Sequence, residues 1–357
     1  MANPYSTVKI FHHAGALDAI RKGERIAPFY IRIKPTNYCN HHCAYCCYGS
    51  GDTKQQSNVR DAIRHRDMLP WDKFREIIAD MGDMGVKAMT FSGGGEPLTY
   101  PHILGAVSML RSRGIDVSLI SNGQLLKGKI AEGFYGSKWV RVSFDSPVEG
   151  EYMKQRGLHG GAFQEVVANI RDFAKNKSQT CTLGINFVVT RSNYRHLYEA
   201  ARLIKSLGCD NIKFAALVDN ERDYHADIKD EAIRQIHQAK TDFEDESFRI
   251  FNNYENEWMD KNFTRQSLQK CYTCRLVTVI AADSRMYLCH NRAYNANAVL
   301  GDLSDKSLKE LWFSDEVSHR LDSLFPPDDC KNICAYEERN KMIQAYYDSD
   351  GEHVNFI

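Results

Sequence analysis

Six apolar, β-branched runs, each followed by a segment of helical period, constrain the fold of this chain more than any other feature. The runs predict strands at 29–34, 88–92, 117–121, 140–145, 183–190 and 212–217. The segments of helical period predict helices at 71–84, 103–113, 126–135, 163–175, 194–207 and 227–242. Strands that alternate with helices favour a parallel α/β barrel, and six units are fewer than the eight of a closed barrel.

Composition and charge exclude several classes of function. The 357 residues include 46 basic and 46 acidic side chains, so the net charge gives no indication of a basic face for nucleic acid. The chain has neither an apolar run long enough to cross a membrane nor a signal-peptide pattern, so we expect a cytoplasmic protein. Its eleven cysteines then indicate metal ligands rather than disulfides.

Three of these cysteines, Cys39, Cys43 and Cys46, form the pattern C-x3-C-x2-C. They supply three thiolates, one fewer than the four that usually hold a four-iron cluster, and so leave one iron open to another molecule. The alternative is a zinc site or a group of buried thiols, although zinc sites usually pair C-x2-C units to reach four ligands. The spacing predicts an iron–sulfur cluster that can take part in catalysis.

A glycine-rich run, Thr-Phe-Ser-Gly-Gly-Gly-Glu-Pro-Leu at 90–98, follows the second predicted strand. Glycines after a strand allow the backbone to approach a ligand closely and expose its N–H groups. The alternative is an ordinary turn between a strand and a helix, with Glu96 as a capping residue.

Together the two motifs resemble the signature of the radical SAM superfamily. The resemblance includes the aromatic Tyr45 just before the third cysteine and the predicted strand just before the first. It implies a [4Fe–4S] cluster on the cysteine triad, S-adenosyl-L-methionine on the open iron, and a partial (β/α)6 barrel. It also implies that Gly94, Gly95 and Glu96 contact the methionyl amino group.

Polar residues end the third and fourth predicted strands, where parallel sheets build their sites. Ser121 and Asn122 end the third strand, and Ser143 and Asp145 end the fourth. The resemblance implies that Ser143 and the later Arg156 touch the ribose and the carboxylate of the cofactor, and an Arg fork suits a carboxylate. A solvated loop residue is the alternative for Arg156.

Three further features near these motifs have open interpretations. Cys47 is a candidate catalytic hydrogen donor, with a spare buried thiol as the alternative. Asn193 either lines the site or caps a helix. The polar stretch 48–67 predicts a long loop that could shape the site.

A second cysteine group follows the barrel and surrounds a predicted hairpin at Asp283-Ser284. It resembles the auxiliary-cluster region called SPASM or twitch, and its five cysteines fit the shorter, twitch-like form with one [4Fe–4S] cluster. The assigned ligands are Cys271, Cys274, Cys289 and Cys334, with Cys330 as the alternative to the last. Zinc on the same cysteines is the other interpretation. Cys181 and Cys209 are expected in the core.

The predicted fold class is therefore α/β, a partial (β/α)6 radical SAM barrel followed by a small α+β twitch/SPASM-like cluster-binding domain. The predicted boundaries are 1–27 for an N-terminal extension, 28–245 for the barrel, 246–335 for the auxiliary-cluster domain and 336–357 for a C-terminal helix and tail.

The resemblance implies an enzyme that cleaves S-adenosylmethionine to a 5′-deoxyadenosyl radical and takes hydrogen from a C–H bond. We expect a small-molecule substrate, namely a sugar, cyclitol or nucleotide-linked metabolite, that is dehydrogenated or epimerised. An electron donor such as flavodoxin or ferredoxin is the expected partner, with neither nucleic acid nor a membrane. Modification of a peptide or protein side chain is the alternative, and a non-catalytic iron–sulfur carrier is a third hypothesis.

Overall fold

The computed structural model describes residues 5–49, 63–218, 221, 223–255, 267–330, 334–349 and 352–353. Its strands are β1 Tyr30–Ile33, β2 Ala88–Phe91, β3 Asp116–Ser121, β4 Trp139–Ser143, β5 Thr182–Val189, β6 Asn211–Ala216, β7 Arg249–Asn252, β8 Val277–Ile280, β9 Arg285–Tyr287 and β10 Val299–Asp302. Its α-helices are α1 Ala14–Arg21, α2 Trp71–Asp83, α3 Ile103–Ser112, α4 Gly128–Phe134, α5 Glu149–Arg156, α6 Ala162–Asn176, α7 Leu197–Ser206, α8 Lys229–Phe243, α9 Leu308–Trp312, α10 Asp315–Asp322, α11 Pro326–Asp329 and α12 Glu337–Asp348. The six predicted strands and six predicted helices are confirmed to within three residues at each end.

All the described strands join one sheet in the order β10-β9-β8-β1-β2-β3-β4-β5-β6-β7. Neighbours from β1 to β7 run parallel, and β8 runs parallel to β1 on its other side. β9 is antiparallel to β8 and to β10, which confirms the predicted hairpin. The mostly parallel α/β architecture is therefore as predicted.

The two faces of the sheet have different chemistry because successive side chains of a strand point to opposite sides. One face belongs to the main apolar core, where Ile31, Val140 and Phe187 are fully buried together with helix residues. The opposite face, called the inner face below, carries polar and charged residues. These include Arg32, Thr90, Ser118, Arg141 and Lys213.

Elements that the sequence did not predict include α1, α5 and β7. Of the apolar side chains of α5, only Tyr152 is fully buried, so its periodicity is weak. β7 lies beyond the predicted barrel boundary at 245, and the same sheet continues through β8. One apolar core likewise extends from Ile31 to Leu324. The division into four domains stays a prediction.

The N-terminal helix packs against the C-terminal helix rather than standing apart. The Tyr346 hydroxyl donates to Asp18 at 2.9 Å, and the Tyr347 hydroxyl donates to the Leu17 carbonyl at 2.7 Å. α12 is the helix that the sequence predicted within 336–357, and it ends at Asp348. Most of the predicted loop 48–67, residues 50–62, lies outside the described residues. Every described helix is too short or too polar to span a lipid bilayer.

Candidate functional site

The loop that follows β1 carries the first cysteine triad, with Cys39, Cys43 and Cys46 all half-buried. The end of α5 fixes this loop, because His42 N donates to the Arg156 carbonyl at 2.9 Å. Ala44 N likewise donates to the Gln155 carbonyl at 2.9 Å. The triad therefore lies at the C-terminal edge of the parallel strands, where the sequence predicted the site.

The glycine run packs directly against the cysteine loop. Glu96 N donates to the Tyr38 carbonyl at 2.9 Å, beside the first cysteine. A Cβ on Gly95 would lie 2.0 Å from the Tyr38 carbonyl oxygen, and one on Gly94 would lie 2.3 Å from Asn37 Oδ1. Only glycine permits this approach, so Gly94 and Gly95 bring the two motifs into contact.

The Glu96 carboxylate joins two other predicted residues. It is 3% exposed and accepts hydrogen bonds from Leu98 N at 3.1 Å, Ser121 Oγ at 2.8 Å and Asn122 N at 2.7 Å. The bond to Leu98 caps the 3₁₀ helix Pro97–Thr99, so the capping interpretation is confirmed alongside two longer-range contacts. Burial raises the pKa of Glu96, and the three donors oppose that shift. A direct contact of these residues with S-adenosylmethionine stays a prediction.

Arg156 ends α5 and forms a buried ion pair with Asp145, which follows β4. The Tyr45 hydroxyl donates to the same carboxylate, and Arg156 Nη1 lies 3.7 Å from Cys43 Sγ. Arg156 is 3% exposed, so the interpretation as a solvated loop residue is wrong. Burial lowers the pKa of Arg156, but Asp145 first and Tyr45 second outweigh it and raise the pKa well above its usual value.

Asp145 is the residue of this strand end that holds the candidate site together, whereas the sequence favoured Ser143. Ser143 lies half-buried at the end of β4, whereas Asp145 is fully buried and ties this strand end to α5. Asn193 occupies the N-cap position of the 3₁₀ helix Tyr194–His196 but makes no side-chain capping bond. Its amide instead donates to the Asp145 carbonyl at 2.7 Å and to the Val188 carbonyl at 2.8 Å. The sequence did contain a signal for this pair, namely an aspartate just after a predicted strand and an arginine eleven residues later.

Cys47 lies beside a buried lysine that the sequence did not single out. Lys34 Nζ donates to the Tyr48 hydroxyl at 3.0 Å and to the Gly93 carbonyl at 2.9 Å. Burial lowers the pKa of Lys34 to about 8. Burial likewise raises the pKa of the half-buried Cys47 to about 12, although the charge of Lys34 opposes it. The catalytic role of Cys47 stays a prediction.

The second group of cysteines comes from the segment before β8, the segment after β9 and the segment before α12. Burial, followed by the charges of Cys271, Cys330 and Cys334, raises the pKa of the Cys289 thiol to about 12. Cys274 Sγ donates to the Cys271 carbonyl at 2.9 Å, and Asn340 of α12 donates to Cys271 Sγ at 3.6 Å. The five thiols therefore interact electrostatically with one another. Cys181 and Cys209 lie in the core, as predicted.

Several buried polar atoms around the first triad lack a hydrogen-bond partner within the described residues. They are His41 Nδ1, Ser92 Oγ, Tyr152 Oη, Gln155 Oε1 and Arg156 Nε. Buried polar atoms of native proteins are nearly always paired, so these atoms suit a polar ligand next to the triad. In the described parts of the chain, no three His, Cys, Asp or Glu side chains converge on one point for a single metal ion.

Comparison with known proteins identifies the domain that contains the first triad. Residues 33–204 match the radical SAM superfamily. The GTP 3′,8-cyclase of Thermodesulfovibrio yellowstonii is 32% identical over 153 residues, which are 41% of this chain and 43% of that protein. The PqqA peptide cyclase of Gluconobacter oxydans is 26% identical over 190 residues, 53% of this chain and 49% of that protein. The chain thus spans about half the length of these curated relatives.

A solved structure shares the fold over most of the chain. SuiB of Streptococcus suis bound to S-adenosylmethionine superposes with a TM-score of 0.64, over 90% of this chain and 74% of that one, at 18% identity. At that identity the likeness concerns the fold alone.

Proposed function

Since residues 33–204 form a radical SAM domain, we propose that this chain takes a hydrogen atom from a C–H bond of a small-molecule substrate. The observation that carries the proposal is the contact between the glycine run and the cysteine loop, which places Glu96 N 2.9 Å from the Tyr38 carbonyl. Radical SAM domains use S-adenosylmethionine and a [4Fe–4S] cluster, which when bound supply the one-electron chemistry for an unactivated C–H bond.

The described residues divide the work around that cofactor pair. Cys39, Cys43 and Cys46 would hold the cluster, and Arg156 next to Cys43 opposes the rise that burial imposes on the pKa of that thiol. The buried Arg156–Asp145 pair fixes α5 against the cysteine loop. The unpaired polar atoms beside the triad would bind the polar groups of S-adenosylmethionine.

The second cysteine group supports an auxiliary [4Fe–4S] cluster. Cys271, Cys274, Cys289 and Cys334 would be its ligands, with Cys330 as the alternative to the last. A cluster near the inner face suits an oxidation, because it can accept an electron from the substrate side. A reductant such as flavodoxin or ferredoxin would supply the first triad.

The alternative substrate is a peptide, and the similarity to PqqA peptide cyclase favours it. The similarity to GTP 3′,8-cyclase favours a small molecule. We prefer the small molecule because the identity to GTP 3′,8-cyclase, 32%, is higher than the 26% identity to PqqA peptide cyclase.

Release of 5′-deoxyadenosine tests the proposed function. The protein is purified and reconstituted without oxygen, then mixed with S-adenosylmethionine and a strong reductant. We expect release that disappears in the triple variant Cys39→Ala, Cys43→Ala, Cys46→Ala and persists in the control Cys181→Ala, whose thiol lies in the core. No release from cluster-loaded protein with candidate sugars, nucleotides and peptides would contradict the proposal.

A further inference from the structure

The inner face of the sheet carries three basic side chains below the cysteine loop. Arg32 lies on β1, Arg141 on β4 and Lys213 on β6, and each is half-buried. Their strand neighbours on the opposite face include Ile31, Val140 and Ile212, which are fully buried in the apolar core. Because side chains alternate along a strand, the three cations all point away from that core. We call Arg32, Arg141 and Lys213 the inner cations.

The inner cations have aromatic and hydroxyl neighbours instead of carboxylates. Arg32 Nε donates to the Tyr30 hydroxyl at 2.9 Å. The Arg141 guanidinium lies 4.9 Å from the centre of the Tyr5 ring, and Lys213 Nζ lies 5.5 Å from it. Over the described ranges, none of the inner cations has a carboxylate oxygen within 4.0 Å.

The inner cations also act on one another electrostatically. Burial, followed by the charges of Arg141 and Arg32, lowers the pKa of Lys213 to about 7. Half-buried cations that lack carboxylate partners are only partly neutralised, so a fold that keeps several of them on one face is suited to an anionic ligand.

The inner cations lie a short distance below the strand ends that carry the candidate site. Arg141 precedes Ser143 at the strand end by two residues, which corresponds to about 7 Å along a strand. Below it, Tyr5 closes the N-terminal end, where its hydroxyl donates to Asn211 Oδ1 at 3.1 Å and its ring meets Phe251 edge-on at 4.7 Å. An anion held by Arg141 therefore leaves the rest of a small molecule directed toward the cysteine loop.

Guanidinium forks and a lysine ammonium together match the oxygens of phosphoryl groups. We propose that Arg32, Arg141 and Lys213 bind the diphosphate of a nucleotide-linked or otherwise diphosphorylated small-molecule substrate. The hydroxyl chain from Tyr30 to Thr90, joined at 2.7 Å, lies beside Arg32 and offers neutral hydrogen-bond partners to sugar hydroxyls. This inference rests on the proposed function and names the substrate class for the same site.

Inorganic pyrophosphate is the probe that tests the inner cations directly. The cluster-loaded chain with saturating S-adenosylmethionine is titrated calorimetrically at constant ionic strength. Because charge-assisted bonds to phosphoryl oxygens are lost, we expect the Arg141→Gln, Lys213→Met double variant to bind pyrophosphate at least about tenfold more weakly. The matched control Arg171→Gln, Lys175→Gln removes two exposed cations from α6 and should keep the wild-type affinity.

A second variant and a second probe keep the test decisive. Arg32→Lys retains the charge but loses the fork, and it should weaken pyrophosphate binding several-fold with an unchanged melting temperature. The inference is overturned if wild type does not bind pyrophosphate or if the double variant binds it as tightly as wild type does. A glutamate-rich peptide is the second probe. The inference is also overturned if binding of this peptide, and not of pyrophosphate, depends on the inner cations.

Release of 5′-deoxyadenosine without added substrate separates this inference from the proposed function. If the double variant still releases 5′-deoxyadenosine but loses pyrophosphate binding, both proposals are supported. If wild type binds pyrophosphate through the inner cations but never releases 5′-deoxyadenosine, the anion site stands and the proposed function fails. If wild type releases 5′-deoxyadenosine but does not bind pyrophosphate, the proposed function stands and the anion site fails.

Discussion

Glu96 and Arg156 are both charged, and both are nearly inaccessible to solvent, yet they are satisfied in different ways. Glu96 accepts three hydrogen bonds from neutral donors, so its position depends on many partners. Arg156 depends on one carboxylate, Asp145, and through its main chain it also holds the cysteine loop. A change at Arg156 should therefore affect stability and the cluster site together.

Replacement of Arg156 by Gln should destabilise the fold strongly. The change leaves the Asp145 carboxylate buried without its cation, which costs roughly 3–5 kcal/mol for buried pairs. The matched control Arg285→Gln breaks a half-exposed pair with Asp302 and should cost less than about 1 kcal/mol. Urea unfolding of both variants without oxygen measures the difference. Equal costs would show that the Arg156–Asp145 pair does not stabilise the site.

Replacement of Lys213 by Met should raise the melting temperature of ligand-free protein, and the gain should shrink as the pH rises. Burial lowers the folded-state pKa of Lys213 to about 7, whereas an unfolded lysine titrates near 10.4. Between these values the unfolded chain binds more protons, so wild-type stability from this group increases with pH. Thermal unfolding at pH 6 and pH 9 measures the gain. A gain that is constant or grows with pH would refute the expectation.

At the scale of elements, the site depends on the approach of the glycine run to the cysteine loop. The run follows β2, and the loop follows β1, which pairs with β2 in parallel. Neighbouring parallel strands end at the same edge, so the two segments meet there. The close packing at Gly95 makes this contact sensitive to a single methyl group.

The Gly95→Ala variant should lose iron and 5′-deoxyadenosine release. Its Cβ would lie 2.0 Å from the Tyr38 carbonyl oxygen, so the cysteine loop must shift, at a cost of about 1–3 kcal/mol for overpacking. The control Gly150→Ala lies in α5, where an added Cβ meets nothing within 4 Å, and should leave both properties intact. Iron and sulfide analysis of the two reconstituted variants decides the matter. Full iron content in Gly95→Ala would contradict the packing argument.

The cysteine group near α12 gives a second prediction at the element scale. If the assigned ligands are correct, Cys334→Ser should lose about one [4Fe–4S] cluster per chain, while Cys330→Ser should retain both clusters. Iron and zinc analysis of the two variants distinguishes the alternatives. The reverse pattern would make Cys330 the ligand. If the protein instead contained stoichiometric zinc and iron for only one cluster, the second cysteine group would be a zinc site.

At the scale of the whole molecule, the sheet extends across the predicted boundary between barrel and auxiliary region. β8 pairs with β1 along its full length, from Tyr30 beside Val277 to Ile33 beside Ile280. The main core also includes Trp312 of α9. The described chain therefore shares one sheet and one main core.

A chain that ends at residue 245 should not fold into a stable monomer. It would lack β8, so β1 would become an open edge of the sheet. β1 itself carries the fully buried residues Ile31 and Ile33. We expect the full chain to unfold in one cooperative transition and the truncated chain to aggregate or melt without a transition, measured by circular dichroism and size exclusion. A monomeric, cooperatively melting fragment would instead support the predicted boundary.

The sequence by itself determined the strand and helix order, the cysteine triad with its glycine run, and the radical SAM resemblance. These features follow from local periodicity and short-range spacing, which a chain carries without its fold. Only the tertiary structure decided that Asp145 pairs with Arg156 and that β8 extends the sheet at β1. It also decided that Arg32, Arg141 and Lys213 share one face, because strand pairing brings together residues that lie far apart along the chain.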